Sequence, residues 1–264
     1  MLIFAWNGID EPFKWIDFDD QPKFEVVLFN YSGNNTLASL NNKYYDKIIS
    51  ERTEFKGSLL NAVYKLYKDV TDVDYIGFVD DDIQINIFGI NQLIETAYAN
   101  NLDAFQAAIH PDSYCSHQFN VWDSEKTIDY VNWVEIMMPF YRKTLFDGAH
   151  DFYATNISSY GIDNYAIPFY QQILGLNKTA VIHTVFMKHL KPVTDGSKIF
   201  SNGLSSRQEG EIIRKKILQM IQSNYLIFFT PQFLQEVYEV KSFRWQAKKY
   251  FLKDIFKNIF RSLF

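Results

Sequence analysis

Short apolar runs of strand length alternate along this chain with segments of helical periodicity, and that alternation restricts the fold more than any other feature. Leu2–Trp6, Phe24–Phe29, Tyr75–Val79, Ala104–Ile109 and Ala180–Val185 read as strands, and another is expected within Thr127–Met137. Leu59, Leu60, Val63 and Leu66 fall on one face of a helix over Ser58–Tyr67. Ile90–Asn100, Asn164–Leu174 and Glu209–Gln222 also read as helices, the second interrupted early by Pro168, while Asn34–Asn42 reads as loop. Alternating strands and helices predict one α/β domain with a mostly parallel central sheet covered by helices. Such sheets bind ligands at the carboxyl ends of their strands, which is where Asn7, Asp80–Asp82 and the residues after Val185 lie.

With 47% hydrophobic and 22% charged residues, the 264-residue chain can bury a core, and disorder, collagen and coiled coil are excluded. Aromatic residues reach 17%, enough to enlarge a core or to line a sugar or base pocket. The net charge of −5 conceals a boundary near residues 235–241. Residues 241–264 carry seven bases and the single acid Asp254, for +6, and the other 19 bases and 30 acids give −11. A body so acidic lacks the broad basic face that nucleic acid requires. Cys115 is the only cysteine, so an intrachain disulfide is impossible. The N-terminus lacks the basic start of a signal peptide, and no apolar run approaches the ~20 residues that span a bilayer. The sequence-level expectation is a soluble or peripheral cytoplasmic protein.

Asp80-Asp81-Asp82 is the strongest local signal, because it follows the Tyr75–Val79 strand at once. Adjacent carboxylates repel one another unless a cation neutralises them or water solvates them. Hard divalent cations take carboxylate oxygens and bridge them to substrate phosphates. In extended backbone, residues i and i+2 point the same way, so Asp80 and Asp82 would face one ion while Asp81 turns aside. A solvated acidic turn is the alternative.

The segment Asp74–Ile83 resembles the metal-binding D-x-D segment of nucleotide-sugar glycosyltransferases of the GT-A type. Phe4-Ala-Trp-Asn7, Phe24–Gly33, Phe55-Lys-Gly57, Leu102–Ile109, Asp112-Ser-Tyr114, Val131–Pro139, Tyr160-Gly-Ile-Asp163 and Val181–Val193 extend the likeness in order over residues 1–195. Together they resemble one bacterial family of such enzymes that is related to a plant family of unknown function. This chain departs from the family pattern at Ala5-Trp-Asn-Gly8, where the family carries Arg-Tyr-Asn-Glu, and at Tyr160, where it carries tryptophan.

The resemblance implies a GT-A-like, Rossmann-like domain over residues 1–235, with Mn²⁺ or Mg²⁺ held by Asp80, Asp82 and a late histidine. His189 opens His-Leu-Lys-Pro-Val, similar to the family's His-Thr-Arg-Pro-Val, and His183 is the reserve. Asp163, after a glycine turn and before a helix, matches the catalytic acid of many such enzymes, although Asp at a helix start is also a favoured cap. Glu135, inside an apolar segment, suits a catalytic or acceptor-binding role or a buried ion pair. Asn7, Lys56, Asp81 and Gln106 are donor-binding candidates, with Lys56 suited to a phosphate as a point charge. No Gly-rich phosphate loop, zinc spacing or Ser-His-Asp pattern occurs.

The tail, residues 236–264, reads as an amphipathic helix. Lys249, Lys253, Lys257 and Arg261 form a basic stripe beside Leu252, Ile255, Phe256, Ile259, Phe260 and Leu263. That pattern suits a helix lying in an anionic membrane interface, a partner-binding helix or a packed terminal one. The expected activity is a metal-dependent, inverting transfer of a sugar from a nucleotide-sugar donor to a hydroxyl of a cell-envelope glycan or lipid-linked acceptor. The alternatives are a phosphohydrolase or nucleotidyltransferase using the same carboxylates, and a catalytically dead membrane-associated carbohydrate-binding module.

Overall fold

The structure, a computed structural model, describes residues 1–34, 44–193 and 196–223. The expected basic tail helix lies outside the described residues, as does most of Asn34–Asn42. In chain order the strands are β1 (Leu2–Trp6), β2 (Ile16–Asp17), β3 (Val26–Asn30), β4 (Lys47–Ser50), β5 (Tyr75–Val79), β6 (Ile83–Asn86), β7 (Ala104–Ile109), β8 (Ile128–Tyr130), β9 (Phe140–Arg142) and β10 (Thr179–His189). The helices are α1 (Lys56–Tyr67), α2 (Ile87–Asn100), α3 (Lys143–Gly148), α4 (His150–Tyr153), α5 (Ile167–Leu174) and α6 (Ser206–Ser223).

The strands join in one curled sheet, ordered β2-β6-β10-β7-β9-β5-β1-β3-β4, with β8 also on β10. β1 is buried on both faces, which is why it reads as an unbroken apolar run. Leu2, Phe4, Val26 and Leu28 face the layer that contains Ile90 and Leu93 of α2. Ile3, Val27, Phe29 and Phe78 face the opposite layer, built on Leu59, Leu60 and Val63 of α1 with Ile213 and Ile217 of α6. Each fully buried side chain of this size stabilises the fold by roughly 1.5–3 kcal/mol.

The expected α/β architecture is present, but its sheet is only partly parallel. The β1–β3, β1–β5, β3–β4, β7–β10 and β2–β6 pairs are parallel. The β5–β9, β7–β9, β8–β10 and β6–β10 pairs run antiparallel. β9 causes much of this: three residues after Pro139 insert between β5 and β7, too short a run to show a period of two.

β10 positions the functional residues. Its first residues pair with β7 and β8, and its register on β7 shifts between Ile182 and Phe186. Beyond that irregularity Phe186 and Met187 pair again with Ala108 and Ile109 of β7, and Lys188 and His189 pair with Gln84 and Ile83 of β6. β6 itself begins just after the aspartates, because the chain turns sharply there: the Ile83 amide donates to the Asp80 carbonyl at 3.2 Å.

Candidate functional site

The aspartates occupy that turn, at the carboxyl end of central strand β5, and the turn replaces the extended geometry expected from the sequence. The three carboxylates therefore have different partner sets, with Lys191 shared by two of them. The Lys56 ammonium pairs with Asp80 Oδ1. The Tyr31 hydroxyl donates to Asp81 Oδ2 at 2.7 Å, and Lys191 Nζ lies 3.3 Å from Asp81 Oδ1. Asp82 Oδ1 sits 3.6 Å from His189 Nε2, and its Oδ2 lies 3.8 Å from Lys191 Nζ. The distance of 3.6 Å suits an ion pair and is too long for a hydrogen bond, so Asp82 Oδ1 is buried with no hydrogen-bond partner.

Lys56 reaches Asp80 from the first turn of α1. Gly57 makes that approach possible: its amide donates to the Ile157 carbonyl at 2.8 Å, and a Cβ there would lie 2.5 Å from the Asn156 carbonyl oxygen. Burial lifts the Asp80 carboxyl above the usual range against the opposing pull of Lys56. Burial also acts to raise Asp82, yet His189 and Lys191 outweigh it and hold this carboxyl below its ordinary value. His189 shows the complement. Burial acts to lower the imidazole, and Asp82 with the Tyr114 carbonyl outweighs it and holds the ring above its ordinary value.

His189 Nδ1 lies 3.0 Å from the Tyr114 carbonyl oxygen and donates to it. In the neutral ring this tether leaves the Nε2 lone pair facing Asp82, the usual orientation of a metal-binding histidine. His183 is placed elsewhere. Its Nδ1 accepts from the Asp123 amide at 3.0 Å, its carbonyl accepts from Trp122 Nε1, and its Nε2 is buried without a partner. Burial holds that ring below its ordinary value.

Glu135 feels the charge of His189, and Asp163 feels the charge of Glu135. Glu135 is buried, accepts from Asn120 Nδ2 at 2.8 Å, and is raised by burial against the opposing influence of Asn120 and His189. Gln106, fully buried, fixes the Glu135 backbone by accepting its amide at 2.5 Å. Asp163 follows Gly161 in a π-helical turn, Ile162–Ala166. Its carboxyl is pushed up to about 7, first by burial and then by the charge of Glu135. Gly161 has φ +87, and a Cβ there would come within 3.0 Å of Gly210 Cα on α6. The backbone before it is held by Glu209, which accepts from the amides of Ile157 and Ser158.

The structure thus brings together Lys56, Asp80, Asp81, Asp82 and His189, with Glu135 in electrostatic reach of His189 and Asp163 in reach of Glu135. Asn7 uses its side chain to close a local turn with Ile9 and Asp10, and the charge of Asp10 acts on Lys191. Sequence reasoning passed over Lys191 and Tyr31. Both lie inside segments that carried the family likeness, but no spacing rule links either to residues 81 and 82. Among the described residues, no three His, Cys, Asp or Glu side chains form a set that could hold a metal ion by themselves. Asp82 and His189 are nevertheless of the donor types that could help hold a hard divalent ion, since such ions commonly use only one or two protein carboxylates.

These features define a GT-A-like α/β fold with an acidic turn at the carboxyl end of a central strand. No family model matches the chain, and no curated protein matches it. Solved structures of S. aureus TarS share the fold. TarS 1–349 aligns with a TM-score of 0.55 at 14% identity, covering 94% of this chain and 72% of that one. The same TarS segment in complex with UDP-GlcNAc aligns with a TM-score of 0.54 at 12% identity, covering 94% and 76%. Its complex with UDP aligns with a TM-score of 0.54 at 13% identity, covering 94% and 72%.

Proposed function

We propose that this protein is a metal-dependent glycosyltransferase that moves a sugar from a nucleotide-sugar donor to an acceptor hydroxyl with inversion. The observation that carries the reading is the turn at the end of β5, where the orphaned Asp82 Oδ1 faces His189 Nε2. The shared fold with structures holding UDP and UDP-GlcNAc supports it.

On this reading Asp82 and His189 would hold Mn²⁺ or Mg²⁺, which would supply Lewis-acid stabilisation of the leaving diphosphate. Lys56 neutralises Asp80 and so keeps the turn from repelling an anionic donor. Tyr31 orients Asp81. Asp163, as carboxylate, takes the proton from the acceptor hydroxyl, and a carboxyl near 7 is well matched to that task at neutral pH. The acceptor oxygen forms its bond to the anomeric carbon as the bond from that carbon to the diphosphate breaks, and the nucleoside diphosphate leaves. Glu135, held by Asn120 and Gln106, adds its charge to the effect of burial in keeping the proton affinity of Asp163 high. The acceptor belongs to a cell-envelope glycan or lipid-linked sugar at the cytoplasmic membrane face, to which the +6 segment 241–264 docks the enzyme.

Incubation with a panel of nucleotide-sugars, Mn²⁺ and acceptor extracts tests the reading. Glycosylated product that Asp82→Asn abolishes supports it. Release of inorganic phosphate without sugar transfer points to a phosphohydrolase, and glycan binding without donor turnover points to a binding module.

A further inference from the structure

Three carboxylates in one turn need compensating charge, and two lysines of very different character supply it. Lys56 is fixed: its side chain is 8% exposed, its ammonium pairs with Asp80, and the Phe78 ring centroid lies 5.5 Å from it. Lys191 is held more loosely, by one long hydrogen bond to Asp81 and by the charges of Asp81, Asp82 and Asp10. Its side chain is 61% exposed, and its ammonium straddles two acids at 3.3 and 3.8 Å, longer than a tight ion pair. The backbone that carries it is nevertheless anchored, because the Leu190 amide donates to the Asp82 carbonyl at 3.0 Å. An anchored backbone beneath a flexible four-carbon stem lets the charge move by several ångströms while the strand stays in place.

We infer that Lys191 is an exchangeable counter-cation. Without donor it neutralises Asp81 and Asp82, and when donor and divalent ion arrive its ammonium leaves Asp82 and pairs with diphosphate oxygens. The inference rests on the metal-dependent reading given above and adds a coupling to it. An ammonium on Asp82 Oδ2 opposes a dication at the same carboxylate. A diphosphate gives that ammonium another anion to pair with, so nucleotide and metal must strengthen each other's binding reciprocally. The exposed lysine then has two effects: it weakens metal binding to the empty site and strengthens nucleotide binding to the loaded one.

Mn²⁺ titrations of the full chain, with free Mn²⁺ followed by electron paramagnetic resonance with and without UDP, test this. Lys191→Met should bind Mn²⁺ alone about 5-fold or more tighter than wild type, the low end of ordinary coupling. The same protein should show a smaller gain in Mn²⁺ affinity on adding UDP. Lys191→Arg keeps the charge and should behave like wild type. A Lys191→Met protein with unchanged Mn²⁺ affinity or an undiminished UDP effect overturns the inference, as does a Lys191→Arg protein that behaves like Lys191→Met. If Asp82→Asn abolishes Mn²⁺ binding in that case, the metal reading survives alone. Absence of saturable Mn²⁺ binding to wild type even with UDP overturns both.

Discussion

His189 Nε2 lies 3.6 Å from Asp82 Oδ1, although 106 residues separate them in the chain. The end of β10 creates this relationship, since His189 pairs in antiparallel register with Ile83, the residue after Asp82. His183, six residues earlier, faces the Trp122–Asp123 loop. The two histidines therefore differ in surroundings, because His183 lies within the irregular stretch of β10 between Ile182 and Phe186 and His189 lies beyond it.

Replacing each histidine by alanine separates them. His189→Ala should weaken Mn²⁺ binding by at least about tenfold, as loss of a group at a metal site does. His183→Ala should leave Mn²⁺ affinity unchanged and cost roughly 1–3 kcal/mol, because the Asp123 amide loses its acceptor. Calorimetric Mn²⁺ titration beside chemical denaturation reads both.

Asp163 should set the pH dependence. As general base it must be ionised, so kcat/KM should rise with pH through an inflection near 7. Asp163→Asn should lower kcat by about 10²–10⁴-fold and remove that inflection. Stability should change in the opposite sense. A carboxyl raised from 3.8 to about 7 favours the folded state at low pH, and this contribution is lost as pH rises through 7. Thermal melts should therefore show Asp163→Asn gaining on wild type between pH 5 and pH 8; a constant difference would remove the carboxyl from this role.

Lys56→Met should leave Asp80 without its cation inside a largely buried turn. Breaking a fully buried pair costs about 3–5 kcal/mol. Asp80 keeps 28% of its side-chain surface, so a loss of about 2–3 kcal/mol is expected by urea denaturation. The paired change Lys56→Met with Asp80→Asn should recover most of it. Failure of the second substitution to rescue would show that Lys56 acts through packing on Phe78 and not through charge.

Gly161→Ala combines two costs, a backbone at φ +87 and a Cβ pressed against Gly210 on α6. A destabilisation of about 1–3 kcal/mol is expected from the backbone term alone. Because Asp163 lies two residues on, kcat should fall further than the folded fraction does. A variant whose kcat is intact once corrected for folding would separate the turn from the chemistry.

The basic tail should hold the enzyme on anionic membranes, since polybasic segments gain about 1 kcal/mol per base near such surfaces. No helix among the described residues is long and apolar enough to cross a membrane. Flotation of the full chain with phosphatidylserine vesicles, compared with a chain ending at Val240, reads the tail directly. Equal flotation of both, or of neither, would assign the tail to packing or to a protein partner.

Much of the fold is legible in the sequence because burial on both sides of a strand and on one side of a helix leaves a local pattern. The expected bounds of β1, β5 and β7 coincide with those observed, and α1, α2 and α6 differ only at their ends. The aspartate triplet announced itself because it follows an apolar strand directly. The motif likeness favoured His189 over His183, but tertiary structure alone decided which partner each aspartate meets and that Lys191 spans two of them. Those outcomes depend on the turn at Asp80–Ile83, on the short β9 between β5 and β7, and on the register shift of β10. Each is set by pairing between segments far apart in the chain, and a one-residue change of register redirects every side chain to the other face of a sheet. Local periodicity carries no record of that choice.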